Sequence, residues 1–288
     1  MLNLGRRCRG LFRKGILEMV KIGVIGAGIL GGTLARRLAT VGNTVQVANS
    51  REPESLSGLL IDGMSAGWAA DVAAASEILF LALPYSAVQK AAALIAEHAR
   101  PETIIVDTGN YYPGRDGVLP GLGDTDTPDP DTVWLAGLIG RPIFKAFNNI
   151  TYVSIRDGGR APGSPQRFGL PIAGPDGPGK DRLSQLVDQA GFDPVDGGTL
   201  DRSWRQQPGS PVYATDLPAV KLRKQLEAAV PQDAAIYRAN RAQFDDVTAA
   251  GYETIRSLRE QGLSFDQVID AMAVDTEDAV SKVHNAQK

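Results

Sequence analysis

Residues 21–31 read KIGVIGAGILG, and their reading decides the fold. Lys21–Gly26 is a short, almost wholly apolar run, the kind that forms a parallel strand buried on both faces. Gly26, Gly28 and Gly31 then fall at G-x-G-x-x-G spacing. Thr33–Val41 continues at helical spacing until Gly42-Asn43, with glycine just beyond the last turn. A glycine-rich turn that directly follows a buried strand and opens a helix is the dinucleotide-binding context. The three glycines have separable roles. Gly26 permits the tight turn, Gly28 lets the backbone approach a pyrophosphate, and Gly31 lets the helix pack closely on the strand. The helix start adds free N–H groups and the positive end of its dipole. Ala27, Ile29 and Leu30 belong to the same turn and are candidate cofactor-binding residues with it. The competing reading is a strand–helix connection without a ligand.

The same alternation continues along the chain. Thr44–Ala48 is a second strand, and the alanine-rich Ser65–Ala75 is helical in character. Ile78–Leu83 is a strand stopped by Pro84, and Ser86–His98 is a helix broken at Arg100-Pro101. Thr103–Asp107 is a strand, Tyr111–Asp131 a Gly/Pro/Asp-rich loop, Val133–Leu138 a helix and Ile143–Asn148 a strand. Phe168–Ala173, Lys180–Ala190 and Phe192–Val195 are candidates to extend the sheet as strand, helix and strand. Buried strands alternating with helices predict an α/β fold, a doubly wound Rossmann-like parallel sheet. From Leu217 the character is helical, which adds extra C-terminal helices. Ala234, Ala235, Ala239, Ala242, Val247, Ala250, Ile255 and Leu258 are spaced for one amphipathic stripe. Gly262 ends that helix, and Ser264 is a candidate N-cap for another from about Phe265 to Asn285.

Composition narrows the chemistry. The 288 residues include 30 basic and 33 acidic side chains, a net charge of −3. Residues 1–18 carry Arg6, Arg7, Arg9, Arg13 and Lys14 against Glu18, a net +4, which leaves −7 on the remainder. An acidic body is not expected to bind nucleic acid. Cys8 alone cannot form an internal disulfide, and with His98 and His284 scattered along the chain no zinc site is expected. The leader lacks the apolar core of a secretory signal, and no run of about 18 apolar residues could span a membrane. The expected location is cytoplasmic.

The end of the second strand decides the nucleotide. An NAD enzyme places Asp or Glu there to bind the ribose 2′-hydroxyl. This chain has Asn49-Ser50-Arg51, with no acid at the strand end. Ser50 can donate a hydrogen bond and Arg51 can pair with a phosphate, which favours NADP. Three parts are then expected: a basic leader at 1–18, an NADP-binding domain at 19–215 and a helical extension at 216–288. Ligands of a doubly wound sheet sit beyond the carboxyl ends of its strands. Leu83-Pro84, Thr108-Gly109-Asn110 and Lys145–Asn149 lie there. Asn110, Lys145 and Asn148 are the polar candidates for the reacting end, and no Ser–His–Asp or Cys–His set accompanies them. Asp107 reads better as a cap on the neighbouring loop. Hydride transfer tolerates this poverty, because the cofactor carries the hard chemistry. Tyr111, Tyr112 and Trp204 could stack on a planar ligand.

VIGAGILGG, ANSR, LALPYSAV, VDTGN and KAFNN, in that order, resemble the F420-dependent NADP oxidoreductase family. The resemblance covers about residues 20–216 and includes AGFDPVDGGTLDRSWRQQPGSPVY. It implies hydride transfer between NADP(H) and a small-molecule acceptor, with coenzyme F420 as co-substrate. It places Gly26, Gly28 and Gly31 at the pyrophosphate and Ser50 and Arg51 at the 2′-phosphate. It sets Leu83, Pro84, Asn110, Phe147 and Asn148 around the nicotinamide. Arg115, Lys145, Arg202 or Arg205 could steer an anionic acceptor. Two features depart from the family: Glu52-Pro53-Glu54 follows the Ser-Arg pair, and the helical tail is added. That tail could cover the cleft or form a homodimer. The alternatives are an imine or carbonyl reductase of pyrroline-carboxylate or hydroxyacid type, and a non-catalytic NADP-binding sensor.

Overall fold

The computed structural model describes residues 19–122 and 130–273, in which the apolar runs pair into one eight-stranded sheet. The first half comprises β1 (Lys21–Ile25), α1 (Ile29–Thr40), β2 (Thr44–Ala48), β3 (Met64–Ala66), α2 (Ala69–Ala75), β4 (Ile78–Leu81), α3 (Tyr85–His98) and β5 (Ile104–Asp107). There follow α4 (Pro113–Asp116), α5 (Asp131–Ile139), β6 (Phe144–Lys145), α6 (Tyr152–Asp157), β7 (Gly169–Ala173), α7 (Pro178–Gln189) and β8 (Asp193–Gly198). The tail forms α8 (Ala219–Ala228), α9 (Ala234–Glu260) and a last helix, α10, over 265–273. The strand order is β3-β2-β1-β4-β5-β6-β7-β8, which reverses direction beside β1, where the glycine turn begins. That reversal is where a doubly wound sheet opens a crevice.

Alternate residues of the inner strands feed two cores. Val24, Val45, Phe80 and Val106 pack with Leu34 and Leu38 of α1 and Leu183 and Val187 of α7. Leu79, Leu81 and Ile105 pack on the other face with Val72 of α2, Val88 and Ile95 of α3 and Leu135 of α5. Each such fully buried side chain stabilises the fold by about 1.5–3 kcal/mol.

Four details differ from the sequence reading. Ser65–Ala75 is not one helix: Met64–Ala66 pairs with β2 as β3, and the helix starts at Ala69. Ile143–Asn148 supplies only a two-residue strand, because Phe147 takes φ 60° and turns the chain out of the ladder. The loop after Tyr111 holds the short helix α4, and residues 123–129 lie outside the described ones. Finally, β7 and β8 are parallel to each other but run against the rest, since β6 pairs with β7 antiparallel. The link from β6 to β7 differs from the earlier ones: its one helix, α6, packs chiefly beside α1 and not across β6 and β7, so it is not the helical crossover that joins parallel neighbours.

The C-terminal helices dock on this sheet. α8 buries Leu222 and Leu226 against Val195 and Val212. α9 starts beside Gly209, where Asn240 Nδ2 donates to the Gly209 carbonyl at 3.3 Å. It passes α4, where Asp245 faces Gly114, and near its end Ile255 and Leu258 pack on an apolar cluster that holds Ile29, Val268, Ile269 and Met272. α10 then anchors the tail. Phe265 lies on Gly32 of α1, Arg36 pairs with Asp266, and Arg156 pairs with Asp270 at 2.8 Å. Ser264 caps α10 as expected, accepting from Gln267 N–H while Gln267 Oε1 accepts from Ser264 N–H. The expected stripe on α9 is split. Phe244, Ile255 and Leu258 face inward, whereas Ala235, Ala239, Ala242 and Ala250 are exposed. Alanine contributes little buried area, so the larger side chains set which face packs. The side chains of Ala234 and Val247, the leader at 1–18 and residues 274–288 lie outside the described ones. Among the described residues no helix is long and apolar enough to cross a membrane.

Candidate functional site

The glycine turn can be tested position by position. At Gly26, with φ 105°, an added Cβ would lie 2.2 Å from the Ala82 carbonyl oxygen. At Gly31 it would lie 1.9 Å from the Gly26 oxygen, so this glycine is what lets α1 sit on the turn. At Gly28 it would meet nothing within 4 Å. Gly28 is exposed between the buried Ala27 and Ile29, and α1 has no side-chain cap. Among the described residues the N–H groups of Ile29, Leu30 and Gly31 have no acceptor. A bare backbone, uncapped donors and a positive helix end fit a pyrophosphate. Ala27 and Ile29 pack inward and Leu30 is half-buried, so these residues could contribute only backbone N–H groups.

At the end of β2, Asn49 shapes the loop. Its Oδ1 accepts from Arg51 N–H at 2.8 Å and its Nδ2 donates to Ser55 Oγ at 3.1 Å. Both ends of its amide are thus engaged within the loop. The Ser50 and Arg51 side chains are exposed, and among the described residues Arg51 makes no ion pair, with Glu52 and Glu54 included. A free guanidinium at this strand end suits a 2′-phosphate. Arg51→Ala is expected to weaken NADPH binding by about 1–3 kcal/mol and leave NADH nearly unchanged, as read by calorimetry. Equal losses for both nucleotides would refute the assignment.

Beyond β4 and β5, half-buried Leu83 and Pro84 adjoin Gly109 and Asn110. Asn110 Nδ2 donates to the Asn148 carbonyl at 2.8 Å, and Asn148 Nδ2 donates to Asn110 Oδ1 at 2.9 Å. Gln206 joins them: its Nε2 donates to Asn148 Oδ1 at 2.8 Å, and its carbonyl accepts from Asn148 Nδ2 at 2.7 Å. The result is a fixed, neutral, buried network of amides. Such a wall can orient a ligand but supplies no acid or base.

Two of the candidate residues turn out differently. Phe147 is fully buried, edge-on to Phe80 and Phe192, with ring centroids 5.9 and 6.4 Å away. Its positive φ sends the ring into the core, away from the strand ends. Lys145 is also fully buried. Its Nζ donates to Asp107 Oδ2 at 3.2 Å, the Gly109 carbonyl at 2.9 Å and Thr132 Oγ1 at 2.8 Å. An ammonium has three N–H donors, so none is left for a substrate. Asp107 caps the loop, accepting from Gly109 N–H at 2.8 Å, Tyr85 OH at 2.7 Å and Thr132 Oγ1 at 2.6 Å. The acceptor-steering cations are largely engaged too. Arg115 binds Asp116 and the Asn110 carbonyl, and Arg205 binds the Gly197 and Leu226 carbonyls; Arg202 is exposed. Tyr111 and Tyr112 are buried, and Trp204 stacks against Tyr237 at 5.8 Å.

The tyrosines give the protein an alkaline limit. Burial, then the Asp107 carboxylate, pushes the Tyr85 phenol well above its usual value. Burial, then Tyr213, does the same for Tyr112, and burial raises Tyr213. For a group whose folded pKa is raised, the stabilisation is complete below the unfolded pKa, about 10 for tyrosine, and is lost as pH rises past it. The melting temperature should therefore fall above about pH 10, with up to about 1.4 kcal/mol lost per pH unit for each tyrosine. A melting temperature that holds level from about pH 9 to 11 would contradict this.

Residues 21–111 match the family of coenzyme F420-dependent NADP oxidoreductases. Among solved structures, a hypothetical protein from Sinorhizobium meliloti is 27% identical with a TM-score of 0.60, over 69% of this chain and 96% of that one. A protein from Arthrobacter sp. FB24, provisionally described as an F420-dependent NADP-reductase, is 25% identical with a TM-score of 0.53, over 63% and 86%. No curated protein matches the chain. The matched segment contains the glycine turn, Asn49–Arg51, Leu83-Pro84 and Asn110. Asn148 and Gln206 lie beyond it.

What the tail brings to the matched segment was not legible along the sequence. Gln206 lies in the AGFDPVDGGTLDRSWRQQPGSPVY stretch but was not singled out there. Ile255, Leu258 and Phe265 carried only helical periodicity, which says that a face packs but not what it packs on. Among the described residues no group of three His, Cys, Asp or Glu side chains could hold a metal.

Proposed function

We propose that this protein passes a hydride between NADP(H) and a second, flat acceptor, with coenzyme F420 the first candidate. The single observation that carries the reading is the bare backbone at Gly28, open in front of an uncapped helix start. NADPH, when bound, supplies the hydride and so all of the redox chemistry. The chain's own residues bind and orient. The α1 N–H groups hold the pyrophosphate, while Ser50 and Arg51 hold the 2′-phosphate. Leu83 and Pro84 form an apolar side of the cleft, and Asn110, locked by Asn148 and Gln206, forms its polar side. Orientation of this kind supports hydride transfer without a general acid or base.

Reduction of an imine or carbonyl is the second reading, favoured by α9, which crosses the carboxyl ends of the strands and gives a small substrate a wall. An anaerobic turnover assay separates the two. NADPH oxidation is followed with F420, a flavin, a ferric chelate and a cyclic imine as acceptors. Turnover with F420 is the expected result. Activity on the imine alone would replace the reading with the second one, and NADPH binding without turnover on any acceptor would leave a nucleotide sensor.

A further inference from the structure

The loop that presents Asn110 is held by one side chain, and α9 packs on that side chain. Arg115 of α4 donates from Nη2 to the Asn110 carbonyl at 2.7 Å. The same guanidinium grips Asp116 with two bonds, Nε to Oδ1 at 3.0 Å and Nη2 to Oδ2 at 2.7 Å. The Asp116 side chain is closed to solvent and reaches both sides of the cleft. Its Oδ2 accepts from Tyr112 N–H at 3.0 Å, two residues beyond Asn110. Its Oδ1 accepts from Ser86 N–H at 3.2 Å, two residues beyond Pro84. The pair therefore ties the turn after β4, which carries Pro84, to the loop after β5, which carries Asn110. α9 packs directly on this unit: an added Cβ at Gly114 would lie 3.0 Å from Asp245 Cβ. The Arg115 guanidinium lies over two rings, 4.9 Å from the centroid of Tyr112 and 5.3 Å from that of Tyr252 on α9. Its Nη1 reaches the Tyr252 hydroxyl at 3.5 Å. An aromatic face attracts a guanidinium, and the rigid fork then passes its placement on to every group it binds.

We propose that Arg115 is a positioning residue of the nicotinamide cleft, fixing Asn110 relative to Pro84, and that α9 takes part in the site by holding Arg115 through Tyr252. The inference rests on the reading of Leu83, Pro84 and Asn110 as the two sides of that cleft. The bonds of Arg115 go to Asn110, Asp116 and Tyr252, so it acts through the Asn110 backbone and not on a reacting atom. Arg115 and Tyr252 both lie beyond residues 21–111, so the geometry of the nicotinamide end depends on residues that the matched segment does not contain.

Calorimetric titration with NADPH and with 2′,5′-ADP tests this without an acceptor. The second probe has the adenosine half and its phosphates but no nicotinamide, so the difference between the two isolates the nicotinamide end. Arg115→Ala should weaken NADPH roughly tenfold and change 2′,5′-ADP by less than about twofold. Arg115→Lys should recover little, since an ammonium keeps the charge and loses the fork. Tyr252→Ala should weaken NADPH about two- to fivefold and leave 2′,5′-ADP alone. It should barely move the melting temperature, because Tyr252 is 44% exposed. Tyr252→Phe keeps the ring and should bind both probes as wild type does. Because Tyr252 acts through Arg115, adding Tyr252→Ala to Arg115→Ala should cost nothing further. Arg115→Ala strands the buried Asp116, and if that variant does not fold the Tyr252 variants decide the matter. If Tyr252→Ala binds NADPH as wild type does, or loses both probes equally, the inference is wrong while the cleft reading stands. If wild type binds neither probe, or gains no affinity from the nicotinamide half, the cleft reading fails and the inference with it.

Discussion

Gly28→Ala should leave the protein folded and close to wild-type stability, yet weaken NADPH binding about a hundredfold, or about 2.7 kcal/mol. The reasoning is geometric. The new methyl meets no protein atom within 4 Å, and φ of −71° suits any residue. A cap loss of about 0.5 kcal/mol is offset by about 0.4–1 kcal/mol from a stiffer unfolded chain. The methyl does occupy the surface where a pyrophosphate would rest, lengthening charge-assisted bonds worth about 1.5–3 kcal/mol each. Gly31→Ala should do the opposite. Its methyl would sit 1.9 Å from the Gly26 carbonyl oxygen and 2.7 Å from Ala82 Cβ. The first obstacle is backbone, so the cost should reach about 3 kcal/mol or more, the top of the usual overpacking range. Urea denaturation and calorimetry together check the contrast. A Gly28→Ala protein with full affinity would remove the pyrophosphate from this turn.

Lys145→Met should destabilise the fold by about 3–5 kcal/mol, because it strands the Asp107 carboxylate in a site closed to solvent. The Gly109 carbonyl and Thr132 Oγ1 lose the same donor. Removing both charges, as Lys145→Met with Asp107→Asn, should recover part of the loss, and the difference measures their coupling. The pair pins the loop that presents Asn110, so its contribution to any reaction is positional. A loss below about 1 kcal/mol would show that Lys145 is not the keystone of this cluster.

The part of the molecule legible in the sequence is the part governed by local rules. Buried strands read as apolar runs, and the glycine spacing fixed the turn, because a Cβ at Gly26 or Gly31 collides with atoms only a strand or a turn away. The place of Arg51 was legible for a similar reason, since it follows directly on β2 and its side chain is exposed there. What escaped was set by contacts between distant segments. Lys145 looks like an exposed cation at a strand end until Asp107, Gly109 and Thr132 close around it. Phe147 belongs to a motif, but a single positive φ turns its ring into the core. The direction of β7 went with α6 packing beside α1 and not across β6 and β7. The apolar cluster of Ile29 with Val268, Ile269, Met272 and Leu258 joins positions more than two hundred residues apart.

Calorimetric titration of the full chain with NADPH and with NADH bears most directly on the nucleotide site. NADPH should bind about tenfold more tightly or better, since Arg51 and no acid stands directly after β2. Tighter binding of NADH, or heat from neither nucleotide, would contradict it.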